Sequence, residues 1–267
     1  MQVLLLGGHG KVALHLTPLL LARAWNVTSV IRNPDHEPEI RALASGKKGH
    51  LDVLTSSLDD VKSVQDAKGL IDRVQPDAVV WSAGAGGKGG PSRTHAIDQE
   101  AAKHFITASI DNPRITKFLL VSHIGSRREK PTWMTDDDWA HLQHVSNNVL
   151  PAYAKAKLEA DEYFTAAAAK VNPSRPFQAI CLRPGLLADT PATGKVQLGK
   201  TKGRGSVTRE DVAIVADKLL AREDTQGWID LLNGENGVDE EVERVVKDKV
   251  DAVDGEDVQG MVKRFFP

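Results

Sequence analysis

Hydrophobic residues along the chain fall into short continuous runs separated by longer stretches with helical spacing. The runs, each of strand length, are residues 2–6, 27–31, 49–54, 78–81, 117–121, 176–182 and 228–232. The stretches between them carry apolar residues three and four positions apart, most clearly at 61–74, 95–109, 151–170 and 209–222. Strands that are apolar throughout are buried on both faces, and strands that alternate with helices form parallel sheets. The pattern predicts an α/β fold with a doubly wound parallel sheet.

The chain is long enough, at 267 residues, to bury a large core. We expect one domain spanning residues 1–267, in which 186–208 and 234–267 are substrate-side and C-terminal additions. The tail beyond residue 238 is heavily charged, yet its valines form an apolar stripe at helical spacing. This stripe predicts an amphipathic helix that packs on the body of the monomer, with a partner subunit as the alternative.

The first apolar run ends in a glycine-rich turn, residues 7–11, which leads into a helical pattern. Gly7, Gly10 and Ala13 have the spacing G-x-x-G-x-x-[GA]. Glycine permits a tight turn and close approach to a pyrophosphate, and a helix N-terminus directs unpaired N–H groups at phosphates. Because a second strand follows at 27–31, the turn belongs to a βαβ unit typical of dinucleotide binding. A purely structural turn is the alternative.

The residues after the second strand indicate which dinucleotide is bound. NAD sites usually carry an acid there, whereas an arginine suits the 2′-phosphate of NADP. This chain has Arg32 and Asn33, with no acid before Asp35. A charge-assisted contact from Arg32 to the phosphate favours NADP, the alternative being a solvated arginine at a strand end.

The fourth strand ends in Ser82, Ala83 and Gly84, and a glycine-rich stretch follows at 85–90. Parallel sheets bind ligands at the carboxyl ends of their strands. We therefore expect this stretch, which includes Gly86, Gly87 and Lys88, to form a second wall against the phosphates and a ribose.

Charge and composition exclude several classes of function. The 34 Lys and Arg nearly cancel the 36 Asp and Glu, so the chain lacks the basic surface that nucleic acid needs. The single Cys181 allows neither an internal disulfide nor a thiolate metal cluster. No apolar run reaches membrane-spanning length, and the chain begins directly in a core strand, so we expect a cytoplasmic protein. His141 and His144 share a helix face, but without a third ligand they predict solvated side chains rather than a metal site.

Tyr153 and Lys157 form the clearest catalytic pattern. Residues four apart lie on one face of a helix, so the two side chains project together, whereas Lys155 points elsewhere. A neighbouring ammonium favours the phenolate and lowers the pKa of the phenol, which makes it a usable proton donor or acceptor. Tyr163, the other tyrosine, has alanine at its fourth position.

Taken together, these motifs resemble those of the atypical short-chain dehydrogenases/reductases, in their NmrA-like and biliverdin reductase B-like branch. The resemblance covers about residues 1–233 and implies a Rossmann fold. The residues that carry it are Gly7, Gly10, Ala13, Arg32, Asp52, Ser82, Ala83, Gly84, Asp98, Ser122, Tyr153, Lys157, Arg183, Pro184, Gly185 and residues 208–213.

The resemblance also implies a set of cofactor-facing residues. These are Gly7, Gly8, His9, Gly10, Lys11, Val12, Arg32, Asn33, Asp52, Val53, Ser82, Ala83, Gly84, Val121, Tyr153, Lys157, Arg183, Pro184 and Gly185. In this scheme Asp52 with Val53 binds the adenine amino group, residues 82–84 line the nicotinamide ribose, and the backbone after Pro184 faces the carboxamide.

Three catalytic residues are implied as well. Tyr153 exchanges a proton with the substrate oxygen, Lys157 binds the ribose hydroxyls and tunes Tyr153, and Ser122 donates a hydrogen bond to the substrate oxygen. Relatives often have consecutive serines at that strand end, whereas His123 and Ile124 follow here, so Ser126 is a second candidate. Residues 127–138, with Trp133 and nearby Trp139, are expected to form a lid over the nicotinamide, a partner contact or simple packing.

These features predict an NADP(H)-dependent oxidoreductase that moves a hydride to or from a small carbonyl or conjugated molecule. Two alternatives remain. One is an NADP(H)-binding, redox-sensing regulator without turnover, and the other is an enzyme of the sugar-nucleotide epimerase or dehydratase type that regenerates its own cofactor.

Overall fold

The computed structural model describes residues 1–85 and 89–267. The part of the predicted glycine-rich wall formed by Gly86, Gly87 and Lys88 lies outside the described residues.

The predicted alternation of strands and helices is confirmed. The strands are β1 (Gln2–Leu6), β2 (Asn26–Ile31), β3 (Leu51–Thr55), β4 (Ala78–Trp81), β5 (Lys117–Val121), β6 (Gln178–Pro184), β7 (Leu186–Ala188), β8 (Lys195–Gly199), β9 (Ser206–Thr208), β10 (Gly227–Asn233) and β11 (Asn236–Gly237). The α-helices are α1 (Lys11–Ala22), α2 (Glu37–Ala42), α3 (Val64–Val74), α4 (Gly90–Thr94), α5 (Ala102–Asp111), α6 (Asp136–His144), α7 (Pro151–Ala169), α8 (Arg209–Leu220), α9 (Val238–Lys247) and α10 (Val258–Phe265). Wider π-helical turns at His95–Ala101 and Val145–Val149 connect α4 to α5 and precede α7.

The large sheet has the order β11-β8-β10-β6-β5-β4-β1-β2-β3. From β3 to β10 every neighbouring pair is parallel. Successive side chains of β1 enter opposite cores: Val3 and Leu5 pack beneath α1 and α8, whereas Leu4 and Leu6 pack beneath α3 and α5. Because both faces are covered by helices, the strand has to be apolar at consecutive positions, which is the pattern visible in the sequence.

One edge of the sheet differs from the predicted all-parallel arrangement. The glycine-rich segment 194–205 contains β8, which pairs antiparallel with β10, and β11 pairs antiparallel with β8. Val196 and Leu198 of β8 are buried, so this short strand extends the core. This strand was not predicted because a run of five residues with only two buried apolar side chains, flanked by glycines, gives a weak strand pattern.

The valine stripe in the tail packs as an amphipathic helix should. Val238, Val242 and Val245 of α9 are buried in the same core as α8. Among residues 1–85 and 89–267, no helix combines the length and the hydrophobicity needed to cross a bilayer.

The turns after β1 and β4 meet at Gly7, which leaves β1 with a φ of +82°. A Cβ at this position would lie 2.6 Å from the Cα of Ala83 and 2.8 Å from the carbonyl oxygen of Ser82. Glycine is therefore required for both the left-handed backbone and the contact between the turns that follow β1 and β4.

We expect Gly7→Ala to lower the free energy of unfolding by about 3 kcal/mol, because a left-handed backbone costs a side chain about 1–2 kcal/mol and the backbone clash adds to it. Gly46→Ala is the matched control, since Gly46 has a φ of +68° with nothing within 4 Å of its added Cβ. It should cost about 1 kcal/mol. Urea unfolding of both variants measures the difference, and equal losses would show that the contact with Ala83 contributes nothing.

Candidate functional site

A cavity of about 470 Å³ opens where β1, β2, β3 and β4 end. The turns after all four strands contribute to its lining, because parallel strands direct their carboxyl ends toward the same edge. The cavity lies over the glycine turn and the start of α1, as the βαβ pattern predicts.

The start of α1 has the features of an anion site. Gly10 is its N-cap and carries no side-chain cap, so the N–H groups of the first turn have no side-chain acceptor. The Gly10 N–H donates to the carbonyl oxygen of Gly7 at 2.8 Å, which closes the turn. Gly7, His9, Gly10 and Lys11 line the cavity. A glycine cradle that a Cβ would fill, beside uncapped helix N–H groups, fits a pyrophosphate.

The structure places the other predicted residues of this turn differently. Gly8 is buried against Ser29, and Val12 faces the core. The Lys11 ammonium pairs with Asp189 at 2.6 Å, and the His9 ring stacks on His36 while its Nε2 lies 2.8 Å from Glu39.

The end of the cavity next to β2 is lined by Arg32, Asn33 and His36 and, from across it, by Asp59 and Arg93. Arg32 is more than half exposed, with its guanidinium 3.5 Å from Asp59. Arg93 makes the stronger contact with Asp59, through two hydrogen bonds of 2.9 and 3.1 Å. Those hydrogen bonds hold the pKa of Asp59 below its usual value, so the carboxylate is charged and already compensated.

Asp52 and Val53 do not line this cavity. Asp52 is the second residue of β3, where it is exposed and pairs with His50 at 3.2 Å. Ligands bind beyond the carboxyl end of a strand, and β3 continues to Thr55, so Ser56, Leu58 and Asp59 occupy the place expected for Asp52. The role of Asp52 was an implication of the resemblance, and Asp52 lies before the end of β3 and not beyond it.

Ser82, Ala83 and Gly84 line the cavity as expected. This turn is supported by Asp98, one of the residues that carry the resemblance, whose buried carboxylate accepts the Ala85 N–H at 2.8 Å. A Cβ on Gly84 would lie 2.7 Å from Asp98 Oδ1. Burial raises the pKa of Asp98, and the positive charge of Lys157 opposes this rise. Asp98 therefore stands between the β4 turn and the Tyr153–Lys157 pair.

Tyr153 and Lys157 lie side by side on α7, with the Lys157 Nζ 6.0 Å from the centroid of the Tyr153 ring. Lys157 is buried and donates to the carbonyl oxygen of Val121 at 2.8 Å, which anchors it to the end of β5. The Tyr153 hydroxyl makes no hydrogen bond to any residue in the described ranges. It is not among the buried polar atoms that lack a partner, so it is accessible to solvent. Lys157 is therefore held in place by the backbone, whereas the Tyr153 hydroxyl is free to bind a ligand.

The expected direction of the tyrosine pKa was wrong. Burial raises the pKa of the Tyr153 phenol, and the lowering effect of Lys157 is smaller than that of burial. Burial alone would lower the pKa of Lys157, but Tyr153, Asp98 and Asp161 together raise it. At neutral pH the phenol keeps its proton beside a charged ammonium, which suits a proton donor.

Neither candidate serine faces the open space. Ser122 and Ser126 are buried, and in the described part of the chain their hydroxyls have no hydrogen-bond partner. The Ser122 hydroxyl faces the carboxyl of Asp161, which lies one turn beyond Lys157 on α7. Burial raises the pKa of Asp161 to about 6. The proposed contact of Ser122 with a substrate oxygen is not supported by this placement.

His123 takes the position beside the tyrosine that was expected for a serine. Its ring meets the Tyr153 ring edge-on, with centroids 5.7 Å apart. Burial, together with the positive charges of Arg183 and Lys157, lowers the pKa of His123 to about 4. The sequence signal was present, since His123 replaces the second of the serines common at this strand end.

Arg183 is a structural residue and does not reach the cofactor cleft. It is fully buried, with its guanidinium 3.8 Å over the Trp228 ring. It bonds Asp230 at 2.9 Å and Asp161 at 3.1 Å, and Arg127 bonds the same Asp230 at 3.1 Å. A strand-end arginine could not be distinguished from a ligand-binding one by sequence, because its burial depends on the partners that the fold supplies.

Pro184 and Gly185 are likewise buried, and their backbone groups are occupied. The Gly185 N–H donates to Leu231, the Leu186 N–H donates to Gly205, and the carbonyl oxygen of Pro184 accepts from Ile124. The N–H groups of Gly185 and Leu186 are therefore already paired and do not offer a carboxamide the hydrogen bond that was expected of this backbone.

The segment with the tryptophans packs as a small core. Met134, Leu142, Ile124 and Leu232 are buried together with Trp133 and Trp139 at their margin. The Trp133 indole donates to the carbonyl oxygen of Thr201 at 3.1 Å. Of the interpretations left open, packing is the one these contacts support. Across residues 1–85 and 89–267, His141 and His144 belong to no group of three side chains able to hold a metal ion.

Comparison with known proteins agrees with this geometry. A family model described as NAD(P)H-binding matches residues 7–223. The chain is 31% identical over 210 residues to the UPF0659 protein C216.03 of Schizosaccharomyces pombe, covering 78% of this chain and 79% of that protein. It is 26% identical over 248 residues to the uncharacterized sugar epimerase YhfK of Bacillus subtilis, covering 92% of this chain and all of that one. A Bacillus halodurans structure, provisionally described as an NAD-dependent epimerase/dehydratase, superposes with a TM-score of 0.71 at 27% identity, over 91% of this chain and 99% of that one.

We expect Asp230→Asn to lower the free energy of unfolding by about 3 kcal/mol, because it leaves two fully buried guanidinium groups, Arg127 and Arg183, short of negative charge. Asp52→Asn is the control, since its carboxylate is mostly exposed and should change stability by less than about 0.5 kcal/mol. Denaturant unfolding of both variants tests this expectation. A loss at Asp230 no larger than that at Asp52 would contradict the structural role of the network.

Proposed function

The chain belongs to the NAD(P)H-binding family, and with it to the atypical short-chain dehydrogenase/reductase group, and on that premise we propose that it is an NADP(H)-dependent oxidoreductase. In this proposal a hydride moves to or from a small carbonyl or conjugated substrate, with Tyr153 as the proton donor or acceptor. The family match makes the chain an NAD(P)H-binding, oxidoreductase-like or epimerase-like protein. The choice of NADP, the substrate class and the role of the tyrosine are the proposal.

The observation that carries the proposal is the Tyr153–Lys157 pair, which does not itself line the cavity but is linked through Asp98 to the β4 turn that does. Lys157 is tied to the backbone of β5 and is close enough to Asp98 to affect its pKa, and Asp98 holds the turn that lines the cavity. When bound, the reduced cofactor supplies the hydride. The chain then has to hold the substrate oxygen at Tyr153, provide a proton there, and keep Lys157 charged.

Cofactor preference rests on Arg32. Its guanidinium is more than half exposed at the end of the cavity next to β2, where a 2′-phosphate would accept charge-assisted hydrogen bonds. The nearby Asp59 is engaged mainly by Arg93, so the site does not present a free carboxylate of the kind that favours NAD. This arrangement supports NADP.

Exposed apolar side chains support a substrate with hydrophobic character. Val149 and Leu150 precede Tyr153 on the chain, and Leu186, three-quarters exposed, follows directly after Gly185. Apolar side chains mark a binding surface when they form one contiguous patch, and we propose that these three do so on the substrate side. We propose that the segment 186–208 contributes to the substrate side of one domain spanning residues 1–267, with 234–267 as a C-terminal addition.

An epimerase or dehydratase is the second candidate, favoured by the similarity to the sugar epimerase YhfK of Bacillus subtilis and to the epimerase/dehydratase of Bacillus halodurans. Such an enzyme uses the same cofactor and the same tyrosine but returns the cofactor to its starting state. Net consumption of NADPH in the presence of a carbonyl substrate distinguishes the two, because only the reductase accumulates oxidised cofactor.

We expect Tyr153→Phe to lower kcat about 100-fold to 10,000-fold while the Kd for NADPH stays within about twofold, since the lost group acts on the proton and not on the phosphates. Tyr163→Phe is the matched control, because the Tyr163 hydroxyl bonds Thr107 at 2.6 Å and belongs to the packing of α7. Turnover on a panel of aldehydes, ketones and quinones gives kcat, and fluorescence titration gives Kd. Full turnover in Tyr153→Phe would remove this residue from the mechanism.

We expect Arg32→Ala to weaken NADPH binding about tenfold or more and to leave NADH binding unchanged, because one charge-assisted contact contributes about 1.5–3 kcal/mol. Arg41→Ala serves as the control, since Arg41 is an exposed arginine of α2 paired with Glu37. Calorimetric titration of each variant with both coenzymes provides the comparison. A wild-type preference for NADH would overturn the NADP assignment.

A further inference from the structure

The end of β5 presents an imidazole, and not a hydroxyl, next to the catalytic tyrosine. Ser122 and Ser126 are buried and turned from the cleft, whereas His123 is partly exposed with its ring edge-on to Tyr153 at 5.7 Å. Resting on the function proposed above, we propose that His123 donates the hydrogen bond to the substrate oxygen through its Nε2–H, in place of a serine hydroxyl.

The backbone fixes which nitrogen of His123 carries the proton. The Gly125 N–H donates to His123 Nδ1 at 3.1 Å, so Nδ1 is the unprotonated acceptor. In a neutral imidazole the other nitrogen must then carry the hydrogen. Lys157 and Arg183 both face this ring and disfavour a third positive charge, while Tyr153 adds none. His123 is therefore a neutral donor with a defined tautomer over the physiological pH range.

The donor atom is accessible to a ligand. Nε2 makes no hydrogen bond to any residue that the structure describes, and it is absent from the buried atoms that lack a partner. It therefore reaches solvent on the side of the ring that does not contact the backbone. The Tyr153 hydroxyl is in the same situation, so the two neighbouring side chains offer two O–H or N–H donors that the protein itself does not use.

Gly125 allows the ring to adopt this position. A Cβ on Gly125 would lie 2.6 Å from Cε1 and 3.0 Å from Nδ1 of His123. A side chain at residue 125 would thus displace the imidazole from its own turn and break the hydrogen bond that sets the tautomer. The turn after β5 holds the ring closely because residue 125 is a glycine.

In a carbonyl reduction the two donors have different roles. The carbonyl carbon gains the hydride, a new C–H bond forms, and the C=O π bond breaks as its electron pair moves to oxygen. Tyr153 transfers its proton to that oxygen, and the reduced nicotinamide is the species oxidised. His123 keeps its proton throughout and stabilises the negative charge that develops on the oxygen, as a donor in an oxyanion hole does.

The test compares His123→Phe, His123→Gln and Ser122→Ala in kcat, KM and the Kd for NADPH. We expect His123→Phe to lower kcat about 100-fold with little change in the Kd, the usual effect of removing one such donor. His123→Gln, which can place an amide N–H near the Nε2 position, should recover about tenfold of that loss. Ser122→Ala should lose less than His123→Phe, and Gly125→Ala should lower kcat in the same direction as His123→Phe.

Histidine-selective ¹⁵N NMR of the wild-type protein at pH 7 gives a reading that needs no turnover. The proton is expected on Nε2 of a neutral His123, and an Nδ1–H tautomer or an imidazolium overturns the inference. Wild-type turnover with a loss of less than about threefold in His123→Phe, or a larger loss in Ser122→Ala, overturns this inference alone. If the wild-type protein binds NADPH but reduces no carbonyl, both the proposed function and the role of His123 fall.

Discussion

The close approach of two strand-end turns is the constraint on which the rest of the site depends. Gly7, leaving β1, packs so tightly against Ala83 and Ser82, leaving β4, that no side chain fits between them. This contact places the start of α1, the floor of the cavity and the β4 turn in one surface. Asp98 then ties the β4 turn to the region of α7 that carries Tyr153 and Lys157. The glycine turn and the Tyr153–Lys157 pair are thereby connected through the β4 turn.

Buried charges pack against the face of α7 that carries Tyr153 and Lys157. Tyr153, Lys157 and Asp161 recur every four residues along the helix, so one face carries a phenol, an ammonium and a carboxyl. Asp161 connects this face to Arg183, and Arg183 connects it to Asp230 and Arg127. Buried ion pairs of this kind need not add net stability, but the loss of one partner is costly. Their effect here is to fix the depth and direction of the helix face that presents Tyr153.

Features that depend on local sequence pattern, such as strands and short motifs, could be predicted from the sequence. Apolar runs buried on two faces marked β1, β4 and β5 at their observed bounds. The glycine spacing identified the turn that lines the cavity, and the spacing of Tyr153 and Lys157 predicted that their side chains lie together on α7. The sequence was insufficient where the role of a residue depends on whether its side chain is buried. Arg183 was expected in the cofactor site because of the resemblance, and the sequence does not distinguish a strand-end arginine that faces a ligand from one that faces a buried Asp230. Asp52 and Ser122 were assigned from the resemblance. Asp52 lies inside β3 and not beyond its end, and nothing local in the sequence shows that the Ser122 hydroxyl turns toward Asp161. The net pKa of Tyr153 depends on desolvation, which spacing along a helix does not reveal.

The most direct measurement of the central claim is a crystal structure of the protein grown with saturating NADPH. The account predicts a dinucleotide across the Gly7–Gly10 turn, its adenosine phosphate at Arg32, and its nicotinamide within reach of the Tyr153 hydroxyl. A cleft without coenzyme at saturation, or a nicotinamide ring directed away from Tyr153, would contradict it.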